Sequence, residues 1–305
     1  MRAKSALAKR AKALIDAAAG RLAVGLLRAI RRTNPDRIAD ASARFLRRVG
    51  PFLPEHRIGR ANLAAAYPEK SAAEIDEILA GVWDNLGRVA AEYAHLDRLW
   101  DYDLANPTGG RIDIPPETVE RFMRLRDDGK PALIFAAHLG NWELPALAAS
   151  AYGLENAVLY RAPSIGDVAA ALRSVRAPNM GTLIKTGYGA PSAVVGALER
   201  GLHVGMLVDQ FLYQGVEVTF FGRRCKANPM VARLARYVDC PIHGTRVIRL
   251  PGHRFRLELT EAIAPVRDAS GEIDIVDTTQ AITAVIEGWV REHPEQWLWL
   301  HRRWR

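Results

Sequence analysis

From residue 116 onward, short apolar runs alternate with stretches of helical periodicity, and this alternation constrains the chain more than any other feature. Runs at 132–137, 157–160, 182–185, 204–208 and 242–250 have the length of strands. Between them, 116–127, the stretch from about 144, 165–176, 192–199 and 229–237 repeat apolar residues at three- and four-residue intervals, as helices do. Segment 255–260 alternates apolar with charged residues, the pattern of a half-exposed edge strand, and 278–292 reads as a terminal helix. Strands separated by helices predict an α/β domain with a mostly parallel central sheet flanked by helices. In such a sheet, sites lie beyond the carboxyl ends of the strands. His138, Arg161 and Asp209 each fall just after an apolar run.

Before this region the rhythm is helical. Segments 38–49 and 72–95 carry apolar residues at helical spacing, with Pro51, Pro54 and Pro68 as breaks. Ser71 followed by Glu74 has the spacing of a capping box. Gly, Pro and polar residues at 105–116 mark the boundary between a helical subregion, 35–104, and the α/β core, 105–305. Together they are expected to form one domain of 35–305. The first 34 residues stand apart. Leu14, Ala18, Leu22, Leu26, Leu27 and Ile30 recur at helical spacing, flanked by Lys4, Lys9, Arg10, Lys12, Arg28, Arg31 and Arg32. Asp16 and Arg21 interrupt the apolar face, and no run approaches the ~20 residues that span a bilayer. The expectation is a basic amphipathic helix that lies in an anionic interface, or packs on the domain as its first helix.

Charge narrows the partners. The 305 residues carry 42 Lys and Arg against 34 Asp and Glu, a formal net charge of +8. A surplus of this sign suits a polyanion: nucleic acid, anionic lipid, a phosphorylated substrate or an acidic carrier protein. Cys225 and Cys240 give no disulfide framework, and Cys240 with His243 is too short of further ligands for a zinc site. There is no G-x-S-x-G elbow, no Walker A loop and no H-E-x-x-H, and Gly187-x-Gly189 lacks the third glycine of a dinucleotide fingerprint. A covalent serine hydrolase, a P-loop NTPase and a zinc protease therefore lose support.

The stretch KPALIFAAHLGNWELPALAAS at 130–150 holds two groups able to move a proton, His138 and Glu143. Five positions on one helix turn by about 500°, nearly opposite faces. The two can meet only if His138 precedes the helix and Glu143 begins it. Gly140 permits the turn and Pro145 suits a first helical turn. A neutral imidazole acts as general base on a hydroxyl, and a carboxylate on its other nitrogen fixes the tautomer. Glu143 fits that orienting part. Backbone N–H groups at the helix start suit an oxyanion or a phosphate.

An H-x4-D/E pair after a buried strand, in the form HLGNWE, resembles the lipid A biosynthesis acyltransferases, within the glycerolipid acyltransferase superfamily. RANLAAAYP at 60–68 with residues 85–92 is similar to the family's N-terminal block. Tyr160-Arg161-Ala162-Pro163 resembles its YRP segment with one residue inserted, followed by Arg173 and Arg176. GMLVDQ at 205–210, GVEVTFFG at 215–222 and the close HPEQWLWLHRRWR from His293 continue the resemblance in order.

The resemblance implies a catalytic dyad of His138 and Glu143, with Arg176 and Asp209, and Arg161 more weakly, binding substrate. It implies acyl transfer from acyl carrier protein to a hydroxyl of a lipid A precursor, late in lipopolysaccharide biosynthesis. No metal or cofactor is expected. The expected partners are the carrier, the precursor and the anionic cytoplasmic face of the inner membrane, with no nucleic acid. Two features depart from relatives: Phe211 stands where some carry a second acid after the aspartate, and the hydrophobic anchor is interrupted. A phosphatidylinositol mannoside or other glycolipid acyltransferase using acyl-CoA is the near alternative. A non-catalytic membrane-binding scaffold of the same fold is the distant one.

Overall fold

The computed structural model describes residues 17–162 and 166–305, so Lys4, Lys9, Arg10, Lys12 and Leu14 lie outside the described residues. Five helices come first: α1 over 17–30, α2 (Pro35–Val49), α3 (Pro54–Ala66), α4 (Ala72–Glu92) and the single turn α5 (Leu96–Leu99). Pro35 and Pro54 occupy the first turns of their helices, where a missing N–H costs nothing. Ser71 Oγ accepts from Glu74 N at 3.3 Å while Glu74 Oε2 accepts from Ser71 N at 2.8 Å, the capping box of α4. Gly87 lets α4 press on α2: a Cβ there would lie 2.7 Å from Ala43 Cα.

The core then alternates as β1 (Ile112–Asp113), α6 (Pro116–Asp127), β2 (Leu133–Ala136), α7 (Leu144–Ala151), β3 (Asn156–Tyr160), α8 (Gly166–Arg176), β4 (Thr182–Lys185), α9 (Ala190–Glu199) and β5 (His203–Leu207). A hairpin follows, β6 (Val216–Phe220) and β7 (Arg223–Ala227), then α10 (Met230–Val238), β8 (Ile242–Leu250), β9 (Arg254–Leu259) and α11 (Ile275–Glu292). Seven strands form one sheet in the order β1-β9-β8-β2-β5-β3-β4, parallel at every pairing except β8 with β9. This is the expected α/β architecture, mostly parallel and flanked by helices.

Side chains alternate along β2 and so supply both layers. Leu133 and Phe135 join Val204, Met206, Ile242, Val194, Val231 and Trp289 in the main core under α9, α10 and α11. Ile134 and Ala136 face the other way, where α6 and α7 cover the sheet.

Three expectations change. Segment 255–260 is β9 and is not the edge, because β1, inside the expected boundary at 105–116, pairs with it. A two-residue strand in a Gly- and Pro-rich stretch carries no readable period. The hairpin β6–β7 was not anticipated either. Its loop is Phe221-Gly222, both with positive φ (53° and 69°), a type I′ geometry that Phe rarely adopts. Phe221 is held there by packing, 5.3 Å from Tyr67 and 5.6 Å from Trp299.

Helix α1 docks through Arg31, which bonds Ala94 O at 2.9 Å and pairs with Asp97 at 2.9 Å. Leu27 packs inward, while Leu22 (75% exposed) and Leu26 (59%) face solvent. Among the described residues no helix is long and apolar enough to cross a membrane.

Candidate active site

His138 stands two residues beyond the end of β2 and Asp209 two residues beyond the end of β5. The strands are paired neighbours in a register that matches Ala136 with Leu207, and Val208 N continues it to Ala136 O at 3.1 Å. Positions 138 and 209 are therefore side by side, about one strand spacing of 4.8 Å apart. His138 Nδ1 lies 2.8 Å from Asp209 Oδ1, and the His138 backbone N–H donates to Oδ2 at 2.9 Å. Trp297 Nε1 donates to the same Oδ2 at 2.8 Å.

The ionised Asp209 only accepts, so Nδ1 carries the proton and Nε2 is left as the basic nitrogen. Burial raises the Asp209 carboxyl, but the His138 charge and the bonds from His138 outweigh it and hold it well below the usual range. Burial likewise opposes a charge on His138, yet Asp209, with a smaller contribution from Glu143, raises its pKa above the ordinary histidine value.

Glu143 begins α7 as its N-cap and Pro145 sits in the first turn, so the turn-then-helix geometry is the one the spacing requires. Its partner is different from the one expected. Arg176, at the end of α8, grips the carboxylate with two bonds, Nε to Oε2 at 2.9 Å and Nη2 to Oε1. Among the described residues Glu143 makes no hydrogen bond to His138. The expectation that Glu143 orients the histidine is corrected: the carboxylate on Nδ1 belongs to Asp209, which strand pairing sets beside the ring, while Glu143 is turned to Arg176.

Arg176 is not a solvated helix residue. Its guanidinium lies 5.1 Å from the Tyr93 ring and 5.6 Å from the Tyr160 ring, and its side chain is 17% exposed. Burial works against its charge, and Glu143 more than restores it. Arg161 follows β3, exposed, on the rim of the cavity described below.

The histidine loop is braced on both sides. Gly140 has φ +56°, and a Cβ there would meet Val247 O at 2.1 Å. Leu139 bridges to Trp297, with Gly140 N donating to Gln296 O at 3.1 Å and Leu298 N to His138 O at 3.1 Å. Asn141 Oδ1 accepts from Glu143 N at 3.2 Å, and its Nδ2 donates to Glu92 at 2.8 Å. Glu92 is in turn held by Arg249 Nη1 and Nη2, at 2.5 and 2.9 Å. Asn85 Nδ2 donates to Gly140 O at 3.1 Å and to Gln296 O at 3.0 Å.

The C-terminal aromatics are core. Trp297 and Trp299 are fully buried, 4.7 Å apart, with Phe220 and Phe221 of the hairpin packed on them. His301 packs on Trp297 at 5.2 Å, and burial lowers its pKa. Arg303, 1% exposed, donates to Lys226 O at 2.7 Å and lies over Phe220. Trp297, Asn141, Glu92 and Arg249 were missed as site residues. Glu92, Asn141 and Trp297 lie within the blocks quoted above, but their contacts span 49 to 157 residues, so nothing local shows what they touch.

His138, Glu143 and Arg176 line the mouth of a cavity of about 660 Å³ between the sheet and helices α6 and α7. Its walls are mainly apolar, with Ile134, Ala136, Val119, Phe122, Ala146 and Ala149 among them. A tautomer-fixed imidazole at the mouth of an apolar bore suits proton abstraction beside the carbonyl of a long-chain acyl group.

No individual curated protein matches the chain. The family model described as bacterial lipid A biosynthesis acyltransferase matches residues 8–305, nearly the whole length, and this chain belongs to that family.

Proposed function

We propose that the protein transfers a fatty acyl chain from acyl carrier protein to a hydroxyl of a lipid A precursor, late in lipopolysaccharide biosynthesis. The observation that carries this is the His138–Asp209 pair at the mouth of the apolar cavity, in a chain of the lipid A acyltransferase family. The acyl chain lies in the cavity with its thioester carbonyl at the mouth. His138 Nε2 takes the proton of the acceptor hydroxyl as its oxygen attacks that carbonyl. The tetrahedral intermediate collapses, the C–S bond breaks, and the imidazolium returns the proton to the departing thiolate. Asp209 holds the histidine tautomer and offsets the imidazolium charge. Glu143 fixes Arg176 beside the mouth, where a guanidinium suits a phosphate of either substrate.

The net charge of +8 suits an acidic carrier and the anionic cytoplasmic face of the inner membrane. Exposed Leu22 and Leu26 on α1, with Arg21 and Arg28 on the same helix, support a peripheral attachment. Purified protein given acyl carrier thioesters and a partly acylated precursor should add one acyl chain, read by mass spectrometry. His138→Ala should lower the rate by about 10²–10⁴-fold without unfolding the protein. Near-normal transfer by His138→Ala, or acyl-CoA as the preferred donor, would sink the mechanism or the donor assignment respectively. Deleting residues 1–32 should release the protein from anionic vesicles, and retained binding would remove α1 from the attachment.

A further inference from the structure

The deep end of the cavity carries polar groups that the transfer chemistry does not use. Asn156 and His203 stand opposite each other in the parallel register of β3 and β5, at the amino ends of both strands. His138 follows the carboxyl end of β2, the other neighbour of β5, so the pair lies at the far end of the strands from the base. Both residues line the cavity, and they are 8% and 5% exposed. Among the described residues neither amide atom of Asn156 has a hydrogen-bonding partner, nor does His203 Nδ1. His203 Nε2 lies 3.0 Å from the Leu125 carbonyl, so its proton sits on Nε2 and Nδ1 is an acceptor. Gly181 leaves room for the amide, since a Cβ there would lie 1.7 Å from Asn156 Oδ1.

A buried amide left unpartnered costs the desolvation of its donor and acceptor, and native proteins rarely leave one so without cause. A hydrocarbon cannot satisfy it. We propose that Asn156, with His203 beside it, is a polar stop that sets the length of the acyl chain the cavity accepts. This rests on the acyl-binding part of the proposed function. Four strand rises separate His203 from Leu207, and His138 is level with Asp209 two residues further on, so the floor stands about 20 Å from the base along the sheet, within reach of a long saturated acyl chain. A chain that stops short leaves room for a water bridging the two side chains. A longer chain must expel that water and lay methyl groups against dry polar atoms, so the cut-off is set by polarity as well as by space.

Asn156→Leu tests this, because leucine keeps nearly the same shape and carries no polar atom. Saturated fatty acids of eight to eighteen carbons compete with a fluorescent fatty acid for the purified full chain. Wild-type affinity should rise by up to about fourfold per methylene and then turn down past the floor. Asn156→Leu should bind the chain two carbons longer at least tenfold better than the wild type does. An unchanged cut-off overturns the proposal, as does failure of the wild type to bind any fatty acid. If Asn156→Leu does not fold, the ω-hydroxy form of the tightest-binding saturated fatty acid decides on the wild type alone. It should bind at least as well as its parent fatty acid, and a tenfold loss overturns the stop. Binding is read without turnover, so a cut-off without transfer would refute the proposed reaction and leave the stop standing.

Discussion

Replacing Asp209 by asparagine separates the parts played by the two carboxylates of the site. Asparagine keeps an oxygen for the His138 and Trp297 N–H groups, which lie 2.9 and 2.8 Å from Oδ2 in the native side chain. Its NH₂ then faces His138 Nδ1, 2.8 Å from the position of Oδ1. A donor facing a donor is repulsive, so the ring must move its proton to Nε2 and lose the base. The expected cost is about 10³–10⁴-fold in turnover, about 4–5 kcal/mol of barrier. Two of the three bonds survive, so stability should fall by only about 1–3 kcal/mol. Asp209 raises the His138 pKa, so removing its charge moves the ascending limb of the pH–rate profile to lower pH. Single-turnover transfer across pH 5–9, with ¹⁵N shifts of the histidine to read the tautomer, measures each quantity. Near-normal turnover with an unmoved limb would refute the assignment of Asp209 as the orienting group.

Glu143→Gln should behave differently, leaving Arg176 as a buried cation without its carboxylate. A loss of about 3 kcal/mol in urea unfolding is expected, and most of it should return on adding Arg176→Met, a coupling that a double-mutant cycle reads. The tautomer should stay on Nδ1, with a smaller shift of the pH limb to lower pH. Arg249→Met strips Glu92 of its partner where the side chains are 11% and 4% exposed. The cost should be about 3–5 kcal/mol by urea unfolding, with turnover falling as the Asn141 loop loosens. Gly140→Ala adds about 1–2 kcal/mol of left-handed strain to a Cβ placed 2.1 Å from Val247 O, which forces β8 away from the loop. It should lower the unfolding midpoint and abolish transfer together, and a native midpoint would contradict the contact.

Local chemistry made much of this fold legible. Each short apolar run from β2 to β8 is a strand, and the capping box, Pro145 and Gly140 punctuate the chain where residue type demands. The hairpin escaped because Phe221 has no intrinsic preference for positive φ and is held there by tertiary contacts, among them Tyr67, Trp299 and the Glu287 carboxylate that accepts from its N–H. Strand β1 escaped because two residues carry no period.

The site shows the same division. Residue types by themselves determined that His138 lies before a helix, that Glu143 begins it and that Asp209 follows another strand. Strand order alone decided which carboxylate meets the imidazole. With β5 beside β2 and Ala136 level with Leu207, the second residue past each strand end must be adjacent, although 71 positions separate them. Glu143, five residues away along the chain, is turned instead towards Arg176. Sequence separation fixes how far a chain can reach, and hydrogen-bonded register fixes what it touches, so the choice between the two carboxylates existed only once the sheet had formed.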